Sequence, residues 1–270
     1  SSILTASLVG GLQTFQFGEQ ESFFGRKLGA DFVPRDWLLQ SLANKLANDC
    51  NNTSVVVLKG DPGVGKSTVA AILVSSSFQD YKGNVSVAKS ALSGLSAKFS
   101  VLAYHACMAE DPNSLSVAGF VRNVASMLCQ TVPGYAERLL SEPHLRRLLS
   151  KEEAEKDPRS AFHNAMLRQL QQLHPTELTL RECKTHLLVV DSLDESLLVG
   201  ARKSVTELLA DHRLVELMPS WLKIVATSRR NARVVELFRI HAPAMVEIDA
   251  HDAKNVADLD SYIDKRCNAD

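Results

Sequence analysis

The sequence has 270 residues, a length that suits one large α/β domain or one domain with a small appendage. Hydrophobic residues make up 45% of it, which is enough for a normal core and excludes an intrinsically disordered chain. Lysine and arginine (30) nearly balance aspartate and glutamate (31), so no positive field supports nucleic-acid binding, and no apolar run approaches the roughly 20 residues of a membrane span.

Apolar periodicity predicts strands that alternate with helices along most of the chain. The predicted strands cover residues 54–58, 99–107, 185–190, 222–227 and 245–248, and the predicted helices cover residues 35–46, 66–74, 114–131, 134–149, 158–173, 202–212, 232–238 and 252–267. This alternation predicts a parallel sheet covered by helices on both faces. His105 falls within a predicted apolar strand, and we interpret it as a hydrogen-bonded core residue rather than a metal ligand.

The ends of the chain differ in character from its middle. Residues 1–22 are polar and contain glycine, and we expect them to be a leader or a flexible arm. We expect a main domain over residues 23–250, and residues 251–270 are predicted to begin a C-terminal helical element that is cut off. The five cysteines are scattered and odd in number, which favours a reducing, cytoplasmic protein over a disulfide or metal framework.

The most informative segment predicts a phosphate-binding loop between an apolar strand and a helix. Its candidate nucleotide-binding residues are Gly60, Asp61, Pro62, Gly63, Val64, Gly65, Lys66, Ser67 and Thr68. The glycines let successive backbone N–H groups point at phosphate oxygens, and the first turn of the helix adds its positive dipole end. In such a loop the lysine neutralises the β- and γ-phosphates and the serine hydroxyl holds Mg²⁺. We therefore expect the chain to bind a nucleoside triphosphate or diphosphate.

A second acidic segment follows the apolar strand at residues 185–190. Asp191 is expected at the carboxyl end of that strand, where ligands of parallel sheets bind, and is our candidate for holding Mg²⁺ together with Ser67. Asp194 and Glu195 lie on the following loop, and either is a candidate for orienting or deprotonating an attacking water. Glu195 is the preferred base, but the sequence leaves both open.

Arg229 is the candidate for reaching the γ-phosphate. It follows the strand at residues 222–227, which a parallel sheet places beside the strand that ends at Asp191. The sequence contains no Asn-Lys-x-Asp pattern of the kind that recognises guanine. The absence of this pattern favours adenine as the nucleobase, and therefore ATP as the ligand.

These motifs resemble those of the STAND class of signalling ATPases. The strand-end aspartate, the small residue after it and the following Leu-Asp-Glu resemble the NACHT form of the Mg²⁺ motif, and Thr227-Ser228-Arg229 resembles the sensor of the same class. Two segments resemble its adenine-side region, one at residues 24–26 and one at residues 32–38 that includes Arg35, and which of them contacts the base stays open. The runs Ser-Glu-Pro-His-Leu at residues 141–145 and Pro-Ser-Trp-Leu-Lys at residues 219–223 resemble the ATPase domain of the TANC scaffold proteins.

The resemblance implies a P-loop NTPase of the additional-strand type, with a five-stranded parallel sheet of order 5-1-4-3-2. It implies ATP or ADP with Mg²⁺ as ligands, a switch that ADP holds closed, and slow hydrolysis in a fragment without the C-terminal lid. It further implies protein partners that bind repeats outside this chain, a nucleotide-dependent homo-oligomer, and a cytoplasmic, postsynaptic or cortical scaffold.

Three functions remain open at this stage. The first is a molecular switch with weak ATPase activity, which the acids at 191, 194 and 195 favour. The second is a scaffold module that binds nucleotide for stability without turnover. The third is a phosphotransferase in which the helical region 114–173 forms an acceptor lid, although this region lacks clustered arginines.

Overall fold

The computed structural model describes residues 7, 23–28, 33, 35–47, 54–77, 99–173, 185–199, 204–239 and 245–267. The predicted leader at residues 1–22 lies outside this part of the chain except for residue 7, and so do residues 32 and 34 of the second adenine-side segment. No helix within the described ranges is long and apolar enough to cross a membrane.

Five parallel strands form the centre of the fold. They are β1 (Val55–Gly60), β2 (Phe99–Ala106), β3 (Thr185–Asp191), β4 (Leu222–Ser228) and β5 (Met245–Ile248). Their order across the sheet is β2-β3-β4-β1-β5, which is the order 5-1-4-3-2 when it is counted from the β5 edge. β1, β3 and β4 are buried along almost their whole length, as is typical of the inner strands of a parallel sheet covered on both faces.

Helices flank the sheet, and most of them lie where the periodicity predicts. They are α1 (Asp36–Ala47), α2 (Lys66–Ser77), α3 (Pro112–Leu115), α4 (Val117–Thr131), α5 (Tyr135–Ser141), α6 (Pro143–Leu148), α7 (Lys151–Lys156), α8 (Pro158–Ser160), α9 (Arg168–Gln171), α10 (Val205–Leu209), α11 (His212–Val215), α12 (Ala232–Leu237) and α13 (Ala253–Cys267). A π-helical segment, Ala161–Leu167, joins α8 to α9, and a 3₁₀ segment, Leu193–Val199, follows β3.

Three predicted helices are interrupted in the structure, two at a capping residue and one at a proline. Ser116 caps the start of α4 through its side chain and so separates α3 from α4. Pro143 begins α6, because proline fits the first turn of a helix but not its interior. Asp211 caps α11 in the same manner as Ser116 and separates it from α10.

The strand register brings the ends of β1, β3 and β4 to one edge of the sheet. Val190 of β3 pairs with Ala226 of β4, so the next residues, Asp191 and Thr227, are neighbours. In the adjacent pairing, Leu58 of β1 lies beside Thr227. The segment that follows β1 therefore starts at the edge of the sheet where Asp191 ends β3.

Candidate functional site

The loop from Gly60 to Ser67, called here the glycine loop, connects β1 to α2. Gly63 and Gly65 have φ values of 81° and 85°, a region that residues with a Cβ rarely adopt. The loop therefore needs glycine at both positions, and its path ends at Lys66, the first residue of α2.

Lys66 is almost fully buried at the end of this loop, with 8% of its surface exposed. Its Nζ donates hydrogen bonds to the carbonyl oxygens of Gly60 and Asp61, at 2.9 and 2.7 Å. Burial lowers the pKa of Lys66, while the charges of Asp194 and Asp191 act in the opposite direction. The structure thus places Lys66 close enough to Asp191 and Asp194 for their charges to act on its ammonium group.

Asp191 is fully buried at the end of β3. Thr227 donates a hydrogen bond from its hydroxyl to Oδ1 of Asp191, and the Ser192 hydroxyl lies 3.3 Å from Oδ2. Burial raises the pKa of Asp191, and hydrogen bonds from Thr227, Ser67 and Ser192 lower it in part. The Ser67 hydroxyl and the Asp191 carboxylate, the two predicted Mg²⁺ ligands, therefore lie near each other.

Ser192 has an unusual backbone conformation directly after Asp191. Its φ is 61°, the one positive value at a non-glycine position in the ranges described. The Ser192 N–H donates to the Thr227 hydroxyl at 2.9 Å. Thr227 therefore satisfies both the carboxylate of Asp191 and the backbone of the turn that follows it.

Asp194 and Glu195, which follow β3, lie beside Arg229, which follows the neighbouring strand β4. Asp194 accepts a hydrogen bond from the backbone N–H of Arg229 at 2.9 Å and lies 3.5 Å from its Nε. Glu195 lies 3.5 Å from Nη2 of Arg229 and accepts a hydrogen bond from the N–H of Ala109 at 2.8 Å. Burial raises the pKa of Glu195, and the Ala109 N–H opposes that shift. The three predicted catalytic residues beyond Lys66 thus form one cluster.

A cavity of about 380 Å³ lies beside the glycine loop. The loop and α2 contribute Gly63, Val64, Gly65 and Thr68 to its wall, and the remaining lining residues are Arg26, Lys27, Val33, Arg35, Asp258, Leu259 and Tyr262. Both segments that resemble the adenine-side region, residues 24–26 and 32–38, therefore contribute residues to the wall of this cavity. Its size lies within the range of small-molecule sites.

Arg35, a predicted nucleotide contact, lines this cavity but makes its hydrogen bonds within the protein. It donates to the carbonyl oxygen of Val64, to Asn255 Oδ1 and, at 3.1 Å, to Asp258 Oδ2. Its guanidinium also lies over the ring of Trp37, 5.5 Å from the centroid.

Sequence reasoning missed several contacts of this region. It placed Thr227 in the sensor-like segment but did not predict its bond to Asp191, although a hydroxyl at the end of the neighbouring strand is suited to bond a carboxylate. Asn255 and Asp258 carried no usable signal, because their contact with Arg35 joins positions 220 and 223 residues apart. His105 is confirmed as a core residue: its ring contacts the carbonyl oxygen of Ser114 at 2.7 Å, and burial lowers its pKa to about 4.

One comparison with known proteins places the chain in a family. Residues 34–229 match the family model described as Nephrocystin 3, N-terminal. The match covers more than half of the chain and spans the glycine loop, β1 to β4 and Arg229. The chain therefore belongs to the nephrocystin 3 N-terminal family.

Proposed function

We propose that the chain is a nucleotide-binding module of the P-loop type, which takes ATP or ADP with Mg²⁺ and acts as a STAND-type switch with slow ATP hydrolysis. The observation that carries the proposal is the burial of Lys66 in a loop whose turns need glycine, opposite the buried Asp191. A buried ammonium held by backbone carbonyls is suited to meet phosphate oxygens, because a phosphate offsets the charge that burial disfavours.

The glycine loop fits a phosphate group. It leads directly into α2, a 12-residue helix whose first residue is Lys66, and the N-terminus of a helix presents free N–H groups and positive dipole charge. Lys66 would neutralise part of the phosphate charge. The residues present therefore fit a di- or triphosphate.

Ser67 and Asp191 fit a Mg²⁺ ion between the loop and β3. Their hydroxyl and carboxylate are hard oxygen ligands, and Mg²⁺ is commonly held by one or two protein oxygens with phosphates and waters. When bound there, the ion would offset negative charge on the phosphates. Asp191 is held in place for this role by the Thr227 hydroxyl.

Glu195 is the residue we assign to orient and accept a proton from water, with Asp194 as the alternative. Burial already raises the pKa of Glu195 toward the range that suits a general base. Asp194 accepts from the backbone of Arg229 and so is tied more closely to β4. Arg229 is 58% exposed at its side chain and would leave the two acids to reach the γ-phosphate.

The cavity beside the loop fits the nucleoside. Arg26 and Lys27 supply positive charge there, and Leu259 and Tyr262 supply apolar and aromatic surface against which a base can pack. The strand order of the sheet supports the additional-strand class that the sequence resembles. Partners that bind attached repeats, nucleotide-dependent self-association and a cytoplasmic scaffold role belong to the same proposal and rest on that resemblance.

A nucleotide-binding module without turnover is the second candidate. It is favoured by the contacts of Glu195, whose two carboxylate oxygens are engaged by Ala109 and Arg229. Both contacts stabilise the ionised carboxylate, oppose the rise in the pKa of Glu195 that burial causes, and so make it a weaker base for water. This candidate shares the nucleotide site of the first and differs only in hydrolysis.

The experiment that tests the proposal is to denature the purified chain and chromatograph the released nucleotide, then to measure binding of added Mg·ATP and Mg·ADP. We expect retained ADP or tight binding in the wild type, and neither in Lys66→Ala. Lys151→Ala, which removes an exposed lysine remote from the loop, is the matched control. A wild-type chain that retains no nucleotide and binds none would refute the proposal; binding without phosphate release would select the second candidate.

A further inference from the structure

Arg35 connects three separate parts of the chain. It precedes α1, its Nη1 donates to the carbonyl oxygen of Val64 in the glycine loop, and its Nη2 and Nε donate to Asn255 and Asp258 of α13. The side chain is only 7% exposed. An arginine fork buried in this way fixes the positions of its acceptors relative to one another.

In the described part of the chain, helix α13 contacts the rest of the domain at this point. Asn255 is its one buried residue, and Val256, Leu259, Tyr262 and Ile263 are 41–54% exposed. Trp37 adds a hydrogen bond from Nε1 to Asp258 at 2.7 Å. Among the residues that the structure describes, polar contacts around Arg35 and Trp37 therefore contribute to the docking of this 15-residue helix.

The same helix forms part of the cavity wall. Asp258, Leu259 and Tyr262 line the cavity from α13, opposite the glycine loop and Thr68. A ligand in the cavity contacts this wall only while α13 is docked. It therefore binds the docked arrangement more tightly and shifts the helix toward it.

We propose that Arg35 couples occupancy of the glycine loop and its cavity to the docking of α13, so that α13 is the element through which a bound nucleotide is read. The proposal rests on the proposed nucleotide site and adds the structural change, docking of α13, that nucleotide binding would produce. Arg35 acts here as a positioning residue: it ties the loop carbonyl of Val64 to the helix. Gly65 is part of the arrangement, since a Cβ there would lie 2.5 Å from Arg35 Nη1.

Coupling of this kind is reciprocal. If nucleotide stabilises the docked helix, then loosening the helix must weaken nucleotide binding by the same factor. Asp258→Ala removes the acceptor for both Arg35 and Trp37 while leaving the glycine loop unchanged. Asp260→Ala is the matched control, because Asp260 is an exposed aspartate on the same helix.

The test is amide hydrogen exchange of residues 253–267 with and without Mg·ADP, together with the Kd of Mg·ADP for each variant. In the wild type and in Asp260→Ala we expect Mg·ADP to slow exchange in α13 by roughly tenfold. In Asp258→Ala we expect faster exchange without nucleotide and Mg·ADP binding weaker by roughly tenfold.

The outcomes separate this proposal from the proposed function. A wild-type chain that binds Mg·ADP with no change of exchange in α13 overturns the coupling and leaves the nucleotide site standing. Equal affinities of Asp258→Ala and Asp260→Ala overturn it as well. A wild-type chain that does not bind Mg·ADP overturns both proposals, and faster exchange in Asp258→Ala then marks the Arg35 contacts as purely structural.

Discussion

Replacing Thr227 by valine removes one hydroxyl from the centre of the candidate site at nearly constant volume. That hydroxyl donates to Asp191 and accepts from the Ser192 N–H. Thr227 is 1% exposed and Asp191 is fully buried, so water cannot replace the lost partner without rearrangement. A buried N–H left unpaired costs about 1–3 kcal/mol, and a hydrogen bond to a charged group contributes about 1.5–3 kcal/mol. We expect Thr227→Val to lower the free energy of unfolding by about 3 kcal/mol.

The variant Thr227→Ser distinguishes the contribution of the hydroxyl from that of the methyl group. It keeps both hydrogen bonds and loses one buried methyl, which costs about 1 kcal/mol. Urea unfolding of the two variants measures the difference. Thr131→Val, which removes a hydroxyl bonded to the carbonyl oxygen of Leu102 in β2, controls for the substitution itself. In the same samples, Thr227→Val should lose the Mg²⁺-dependent part of ADP binding, while Thr227→Ser and Thr131→Val retain it. Equal stability of Thr227→Val and Thr227→Ser would refute the role assigned to this hydroxyl.

Three further predictions follow from the site and the core. Lys66→Ala should release all retained nucleotide, measured by chromatography after denaturation, and unchanged retention would contradict the phosphate role of this residue. Glu195→Gln should bind ATP normally but release phosphate roughly 10²–10⁴-fold more slowly in a steady-state assay; if Asp194→Asn alone had that effect, the base would be Asp194. His105 stays neutral in the folded state until about pH 4, whereas the unfolded state takes up its proton near 6.5. Stability should therefore fall by about 3 kcal/mol as the pH drops through this window, and His105→Gln should unfold in urea with a weaker pH dependence there.

The parallel sheet was accessible from the sequence because each inner strand is a continuous apolar run, whereas its strand order was implied only by the resemblance to STAND ATPases. Val55 to Leu58 and Leu187 to Val190 have few polar residues to compete with burial, and the alternation with helices leaves little choice except parallel pairing. Helix boundaries were less accessible. The predicted helix at residues 134–149 contains Pro143, and the structure starts a new helix there.

The candidate site was predictable to the extent that its residues lie on local motifs. Lys66 and Asp191 each follow an apolar strand, and a parallel sheet brings such strand ends together. The contacts of Arg35 were not predictable, since Asn255 and Asp258 lie on a helix that follows the last strand and no local pattern marks them. Tertiary packing decides which side chains make contact across more than 200 residues of sequence. No local sequence motif marks such a contact.

The left-handed backbone at Ser192 limits what evolution can place beside Asp191. β-Branched and bulky residues are strained at a φ of 61°, and an aspartate there would repel its buried neighbour. Glycine adopts this backbone without strain but lacks the hydroxyl that lies 3.3 Å from Asp191 Oδ2, and asparagine tolerates it with a different polar group. Natural variation at position 192 should therefore favour small residues and asparagine, and a homologue carrying valine or isoleucine there must have rebuilt the turn.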